Sequence, residues 1–219
     1  MNRFLHILFG FLFIITACKQ EKKYHNVVEK DTASLKSDKL AEIVKFQEEL
    51  NAEFRNPEVS PLPDRFRKDF EGLDFFEPDT NYVVEAKFVR TPDAVPFLMP
   101  TTTERESKEV VYGIAEFTLN GKEFRLELYQ NPELILEEEY KDYLFLPFTD
   151  LTNGKETYGG GRYLDLRIPQ GNTILLDFNK AYNPYCTYNK KYSCPLVPSV
   201  NNLNTMVNAG VKAFEKGYK

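Results

Sequence analysis

Residues 110–129 read VVYGIAEFTLNGKEFRLELY, and this stretch decides the fold. Strand-forming residues lie on both sides of Asn120-Gly121. Asparagine followed by glycine is the strongest short hairpin signal, because both residues tolerate the positive φ angles of a two-residue turn. The stretch therefore predicts an antiparallel hairpin with strands over 110–119 and 123–129.

The strand pattern continues on both sides of this hairpin. Apolar and polar residues alternate from Tyr82 to Val89, and the pattern stops at Thr91-Pro92-Asp93. Later in the chain, strands are predicted over 143–148, 163–168 and 173–178. Short strands joined by glycine, proline and asparagine turns predict a mostly antiparallel sheet, either barrel-like or a sandwich.

A helix is predicted ahead of the strands. Ser37 can cap its start, Asn56 before Pro57 ends it, and apolar residues recur at helical spacing between them. The loop over 57–73 contains three prolines and one predicted helical turn. The fold class is therefore α+β, with an N-terminal amphipathic helix that covers one open side of the sheet.

The composition is that of a single soluble domain, with 219 residues of which 42% are hydrophobic and 28% are charged. A net charge of -5 argues against binding to nucleic acid, which needs a cationic surface. His6 and His25 are the only histidines, and both precede the predicted domain. Histidine-dependent nucleophiles and histidine-ligated zinc are thereby excluded from it, and no cofactor or metal is predicted.

Residues 1–17 have the pattern of a lipoprotein signal peptide. Arg3 precedes an apolar run of about a dozen residues, which is the length of a signal-peptide core and too short to span a bilayer. The run ends in Ile-Thr-Ala before Cys18, which resembles the bacterial lipobox. Cys18 is therefore the predicted site of lipidation, with palmitate among the acyl groups. An uncleaved membrane anchor or a buried N-terminal helix is the alternative.

Residues 18–34 are almost without apolar side chains, which predicts a flexible tether, and residues 35–219 then form one domain. The chain is expected outside the cytoplasm, held to the membrane by its lipid. Lys19 stands where aspartate would retain an enteric lipoprotein at the inner membrane, and this analogy favours the outer membrane.

Ordered motifs in the second half carry a resemblance to a known family. They read LFLPFTD (144–150), ETYGGGRYLDL (156–166), DFNKAYNPYC (177–186) and YSCP (192–195). Together they resemble the family catalogued as domain of unknown function 1684, bacterial and archaeal proteins often exported as lipoproteins. The resemblance covers most of the chain after about Ile43. It implies the same single domain and assigns no activity or site residue.

Three glycines precede Arg162 in the second motif. Their backbone N–H groups could line a concavity for an anion that the guanidinium pairs with. No Gly-Lys-Ser/Thr follows and the next element is a predicted strand, so the motif is not a P-loop. The interpretation that we favour is a tight turn, with Arg162 in a salt bridge to Asp150 or Asp165.

Carboxylates and phenols gather near predicted strand ends. Two carboxylates with different pKa values can act as acid and base, whereas the favoured alternative is that they cap turns and form ion pairs. The phenols of the 177–192 stretch can stack on sugars, anchor a protein partner or simply cover the sheet. The carboxylates in question are Asp150, Glu156, Asp165 and Asp177.

Cys186 and Cys194 are the cysteines that remain after Cys18. In an oxidising compartment an isolated pair with this spacing favours a disulfide, with a free pair at a functional site as the alternative. Zinc would need more ligands than this pair supplies.

These observations predict a lipid-anchored module of the cell envelope that binds a small anionic or sugar ligand or a protein. The alternatives are a histidine-free hydrolase using Asp165 and Asp177 with Arg162, and a purely structural lipoprotein. The candidate pocket comprises Tyr158, Gly160, Arg162, Asp165, Asp177, Asn179, Tyr182 and Asn183.

Overall fold

Two α-helices and eight β-strands lie in the part of the chain that our computed structural model describes, residues 24–214. The helices are α1 (Tyr24–Arg55) and α2 (Asp64–Arg67). The strands are β1 (Val83–Arg90), β2 (Phe97–Pro100), β3 (Glu106–Leu119), β4 (Lys122–Gln130), β5 (Tyr143–Asp150), β6 (Arg162–Arg167), β7 (Thr173–Asp177) and β8 (Asn202–Leu203). Short 3-10 helices cover Thr80–Tyr82, Leu134–Leu136, Glu138–Tyr140, Phe178–Lys180, Tyr185–Thr187 and Ser199–Asn201.

The predicted hairpin is confirmed. Asn120 and Gly121 have φ angles of 51° and 74°, as a two-residue turn of the hairpin type requires, and Leu119 pairs directly with Lys122. β1, β5, β6 and β7 lie within two residues of their predicted positions. β2 and β8 were not predicted, because β2 has four residues and ends at a proline and β8 has only two residues.

The strands form a mostly antiparallel, curled half-barrel in the order β6-β5-β4-β3-β1-β7, with β2 on β3 and β8 parallel to β5. Closure into a complete barrel or a sandwich is not found, since β6 and β7 end the order without pairing to each other. The backbones of Tyr163 and Tyr182 bond to each other instead, at 2.9 and 3.0 Å. The chain after β7 therefore occupies the free edge of β6.

Alternation along β5 and β6 gives this strand pair two buried faces. Leu144, Leu146 and Leu164 belong to the main hydrophobic core, whereas Phe145 and Tyr163 pack on the opposite face with Met99 and Tyr129. An irregularity in β3 between Val111 and Gly113 shifts the register against β4. Such a bulge lets a long strand serve different surfaces at its two ends.

Helix α1 begins earlier than predicted, at Tyr24 rather than after Ser37. No proline or glycine lies between these positions, so nothing in the sequence stops the helix at the expected cap. Residues 24–34 of the predicted tether are thus helical, and its flexibility stays a prediction. Ile43 and Phe54 are buried and Val44 is exposed; the amphipathic character of α1 also stays a prediction.

The C-terminal part of α1 packs on loops. Phe54 forms a second hydrophobic cluster with residues that follow α1, in the 182–190 stretch and near the C-terminus: Leu62, Leu73, Tyr188 and Val211. The predicted helical turn in the 57–73 loop is confirmed as α2. Within residues 24–214, no helix is both long and apolar enough to cross a membrane. The predicted signal peptide and the predicted lipidation site, Cys18, lie outside the described residues.

Candidate functional site

A cavity of 460 Å³ lies where α1, the face of the sheet that carries Phe145 and Tyr163, and the 182–195 loop meet. Its lining combines aromatic rings, carboxylates, hydroxyls and amides. The residues that line it are Phe46, Leu50, Glu53, Phe54, Ser107, Glu109, Asn131, Leu134, Tyr143, Phe145, Tyr163, Asp165, Tyr182, Asn183, Pro184, Tyr185, Tyr192, Ser193, Cys194 and Pro195.

The strand registers explain why the sheet residues of this set come together. Phe145 of β5 pairs with Asp165 of β6, and Tyr143 lies two residues from Phe145 on the same face. Tyr129 pairs with Phe145 from the other side, and this places the end of β4 beside Tyr143. Ser107 and Glu109 of β3 reach the same face ahead of the bulge.

Glu109 is the most buried carboxylate of the cavity, with 4% of its surface exposed. One oxygen, Oε1, accepts hydrogen bonds from Ser107 Oγ at 2.8 Å and from Asn131 Nδ2 at 3.4 Å. The other, Oε2, is buried and has no hydrogen-bond partner within the protein. Burial raises the pKa of Glu109, and the bonds from Ser107 and Asn131 and the charge of Arg105 reduce this effect.

Asp165 has a different environment, because it is exposed and two phenols hold it in place. The hydroxyl groups of Tyr143 and Tyr182 both donate to Asp165 Oδ1, at 2.7 and 2.6 Å. Burial, together with the neighbouring charge of Asp165, raises the pKa of both tyrosines, so both stay protonated donors. The Asp165 carboxylate is thereby fixed in one orientation at the cavity.

The third carboxylate comes from α1. Glu53 Oε1 accepts a hydrogen bond from Tyr185 Oη at 2.5 Å, which connects the helix to the loop after β7. No lysine, arginine or histidine is among the described residues that line the cavity. The guanidinium group of nearby Arg105 donates to the carbonyl of Ser193 at 2.8 Å.

Three of the eight predicted pocket residues line this cavity: Asp165, Tyr182 and Asn183. Asp177 and Asn179 lie elsewhere, where Asn179 Nδ2 donates to Asp177 Oδ1 at 2.9 Å and Asp177 caps a 3-10 helix. Asp165 and Asp177, the predicted hydrolytic pair, therefore do not line a common cavity.

Arg162 is fully buried in the main core rather than in a binding site. Its Nη2 lies 2.8 Å from Asp150 Oδ2 and 2.9 Å from the carbonyl oxygen of Val207, and Nη1 donates to the carbonyl of Ala209. Burial lowers the pKa of Arg162, and the Asp150 carboxylate acts in the opposite direction. Of the two partners considered from the sequence, Asp150 is the one in the structure. Arg162 therefore binds groups of the protein itself and does not line the cavity, where the sequence suggested an anion site or a hydrolytic role for it.

The glycine turn before Arg162 has a structural role. Gly161 has a φ of 93°, and a Cβ on it would lie 2.7 Å from the carbonyl oxygen of Phe148. A Cβ on Gly160 would lie 2.5 Å from the ring of Tyr158. These glycines therefore permit close packing of the turn against its neighbours. Neither Tyr158 nor Gly160 lines the cavity.

Cys186 and Cys194 are neighbours but free thiols. The backbone N–H of Cys186 donates to Cys194 Sγ at 3.2 Å. A hydrogen bond from the Cys194 thiol lowers the pKa of Cys186, and the same bond raises the pKa of Cys194. The disulfide favoured by the sequence is not formed in this structure, and Cys194 lines the cavity.

Glu53, Glu109, Asn131 and Tyr143 were missed by sequence reasoning. Glu109 precedes the predicted start of its strand, at Val110, by one residue. Glu109 lies two residues before Val111 and therefore on the same buried face. A predicted strand that began at Glu106, as β3 does, would have indicated this position. Glu53 belongs to the helix that was predicted, but nothing local connects it with Tyr185, which is 132 residues away.

Comparison with known proteins gives a family and a fold. Residues 68–212 match the family described as "Protein of unknown function (DUF1684)". The solution NMR structure of an uncharacterized protein from Haloarcula marismortui is similar at 31% sequence identity and a TM-score of 0.64, and the match covers 86% of this chain and 100% of that chain. No curated protein matches the chain.

Proposed function

Because this chain belongs to the DUF1684 family, whose members have no known function, we propose a function from the cavity: a small-molecule-binding module of the cell envelope. The observation that carries this proposal is the 460 Å³ cavity in which a buried carboxylate oxygen of Glu109 has no partner. Ligand sites are typically concave, mostly apolar and supplied with a few fixed polar groups, and their volumes are about 300–1,000 Å³.

The polar groups of the cavity are positioned in advance. Two phenols fix Asp165, and Ser107 and Asn131 fix one oxygen of Glu109. Polar groups that are fixed in advance reduce the entropy that the protein side chains lose when a ligand binds. A buried charge without a partner lowers the stability of the free protein, and a ligand that supplies the partner would remove this cost.

The cellular location is part of the same proposal and is supported by the N-terminal sequence alone. The apolar run before Cys18 and its lipobox-like end favour lipidation and anchoring outside the cytoplasm, with the outer membrane as the expected site. A lipid anchor would hold the binding domain at the membrane surface.

A substitution that fills the cavity tests the proposal. Leu134 lines the cavity, so Leu134→Trp should obstruct it, whereas Leu136 in the same 3-10 helix is 82% exposed and Leu136→Trp serves as the matched control. Ligand-observed NMR on the full-length chain in non-ionic detergent would use glucose, N-acetylglucosamine, phenethylamine, 2-phenylethanol, agmatine and 3-phenylpropanoate.

We expect at least one of these compounds to bind the natural chain and the Leu136→Trp variant, and to lose binding to the Leu134→Trp variant. Binding of no compound, or equal binding to all three chains, would overturn the assignment of the cavity as a ligand site.

A histidine-free hydrolase remains a second candidate, and one observation favours it. Glu109 and Asp165 line one cavity but differ in environment, since Glu109 is buried with a raised pKa and Asp165 is exposed between two phenols. Two carboxyl groups that share a cavity but differ in environment can act as acid and base, as in glycoside hydrolysis. This pair replaces the pair that the sequence suggested, Asp165 and Asp177.

Chromogenic glycosides and esters of 4-nitrophenol would separate the two candidates. A hydrolase should lose turnover in both Glu109→Gln and Asp165→Asn and keep it in Asp177→Asn, because Asp177 lies outside the cavity. Absence of turnover in the natural chain, together with ligand binding, would leave the binding module.

A further inference from the structure

We propose that the cavity selects a small organic cation, a molecule that carries an ammonium or guanidinium group on a hydrocarbon body. This inference rests on the proposed function and names the class of ligand. The sequence suggested an anion or a sugar, and the charges, hydrogen-bond donors and rings of the cavity each favour a cation instead.

The first argument is charge. Glu53, Glu109 and Asp165 line the cavity and no basic side chain is among its described lining. Of the nearby guanidinium groups, Arg167 lies 2.8 Å from Asp142, and Arg105 donates to the carbonyl of Ser193 and offsets only part of the effect of burial on Glu109. A cation would be attracted to the cavity, whereas an anion would be repelled by all three carboxylates.

The second argument is the direction of the hydrogen bonds. The hydroxyl groups of Tyr143, Tyr182, Tyr185 and Ser107 already donate to the three carboxylates. A hydroxyl has one hydrogen to donate, so these groups can offer a ligand only their lone pairs. The buried Oε2 of Glu109 is also an acceptor without a partner. Ammonium and guanidinium groups are donors without acceptors, which is the complement of this lining.

The third argument is the placement of the aromatic rings. The rings of Phe145 and Tyr163 are 4.8 Å apart with an interplanar angle of 78°, and those of Tyr163 and Tyr182 are 5.9 Å apart at 90°. All three rings line the cavity, and an aromatic ring attracts a cation that lies over its face. A sugar could stack on the same rings, but it would not neutralise the carboxylates.

The test uses ligands that share a hydrocarbon body and differ in the head group and its charge. Phenethylamine, 2-phenylethanol and 3-phenylpropanoate present a cation, a neutral hydroxyl and an anion on the same body, and choline has a neutral counterpart in 3,3-dimethylbutan-1-ol. Affinities would be measured by calorimetry on the full-length chain at low ionic strength. We expect at least one cation to bind about tenfold more tightly than its neutral counterpart, or better.

Variants identify the groups responsible. Glu109→Gln and Asp165→Asn keep the shape and an acceptor oxygen, and each should lower the affinity for the cation severalfold and by a larger factor than the affinity for the neutral alcohol. Glu85→Gln removes one charge from an exposed position of β1 outside the cavity and should leave both affinities unchanged.

The outcomes are distinguishable from failure of the proposed function. If 2-phenylethanol or a sugar binds as tightly as the cations, the cavity is a ligand site and the selection of cations is wrong. If Glu85→Gln reduces the preference for the cation as much as the cavity variants do, the preference comes from the net charge of the chain. The inference is then also wrong. If nothing binds, the proposed function itself fails.

Discussion

On one face of the β5–β6 pair, the buried carboxylate of Asp150 lies 2.8 Å from the guanidinium group of Arg162. On the other face, the carboxylates of Glu109 and Asp165 line a cavity that contains no basic side chain among the described residues. Each face therefore carries at least one acidic side chain. Of the two faces, only the first joins its carboxylate to a basic side chain in an ion pair among the described residues.

The difference separates the requirements of folding from those of binding. Arg162 joins Asp150 to the carbonyl oxygens of Val207 and Ala209, so it ties the C-terminal segment to the sheet. A buried charge is tolerated when it is paired and hydrogen-bonded in this way. The cavity carboxylates accept hydrogen bonds from neighbouring hydroxyl groups but have no basic partner among the described residues that line the cavity, which is why we assign their charge to a ligand.

The largest expected effect is the loss of the ion pair of the core. Arg162→Met leaves Asp150 buried without its partner, and we expect a loss of about 3–5 kcal/mol in the free energy of unfolding. Arg167→Met is the matched control, because its ion pair with Asp142 is more than half exposed and should contribute about 0–1 kcal/mol. Urea denaturation at neutral pH measures both. Similar losses in the two variants would remove the distinction between the faces.

The glycine turn before Arg162 should give the next largest effect. Gly161→Ala places a methyl group 2.7 Å from a backbone carbonyl oxygen, in addition to the strain of a positive φ. Strain should cost about 1–2 kcal/mol, and overpacking adds about 1–3 kcal/mol. Gly154→Ala isolates the strain, because Gly154 has a φ of 77° and open space around its Cβ position. Thermal denaturation compares the two variants. If their melting temperatures are equal, close packing is not the reason for the glycine at position 161.

Most of the sheet could be predicted because its signals are local. Asn120-Gly121 determines the turn of one hairpin, and the period of two identifies the other long strands. Closure of the sheet could not be predicted, since it depends on whether β6 meets β7 or the backbone of Tyr182. Nothing in either segment distinguishes these partners.

The site was only partly predictable for the same reason. Asp165 and Tyr182 were identified because their motifs are dense in polar and aromatic residues. Glu109 and Glu53 come from other elements and meet the site through the register of β3 and the packing of α1. Arg162 was assigned to the candidate pocket but does not line the cavity. An arginine after glycines has the same sequence pattern whether it binds an anion or is buried with Asp150.

Oxidation of the thiol pair should have a smaller effect than removal of the ion pair. In a Cys18→Ser chain, oxidised glutathione should react first at Cys186, whose pKa the hydrogen bond from Cys194 lowers. Cys194 then displaces glutathione, and the protein loses two hydrogens. The loop-entropy relation predicts that closing this short ring raises the free energy of unfolding by about 2.5 kcal/mol. Mass spectrometry and denaturation would detect both changes, and Cys186→Ser is the control. A chain that retains bound glutathione would contradict the predicted disulfide.

The smallest effect concerns the charge that the cavity leaves without a partner, and it depends on pH. Burial raises the pKa of Glu109 above its ordinary value of 4.5, so the folded chain holds this proton more tightly than the unfolded chain does. The contribution of Glu109 to stability is therefore complete below that value and is lost as the pH rises through the folded pKa. Glu109→Gln cannot ionise, so its stability relative to the natural chain should increase from about pH 4 to about pH 8.

Urea midpoints across this pH range provide the measurement, and Glu85→Gln should retain the slope of the natural chain because Glu85 is exposed. If the difference in stability between Glu109→Gln and the natural chain is the same at every pH, ionisation of the buried Glu109 does not destabilise the fold. A bound cation favours the ionised carboxylate, so saturating phenethylamine should stabilise the natural chain more at neutral pH than at acidic pH. The same addition should leave the slope of Glu109→Gln nearly unchanged, which would connect the uncompensated charge of this face directly to its ligand.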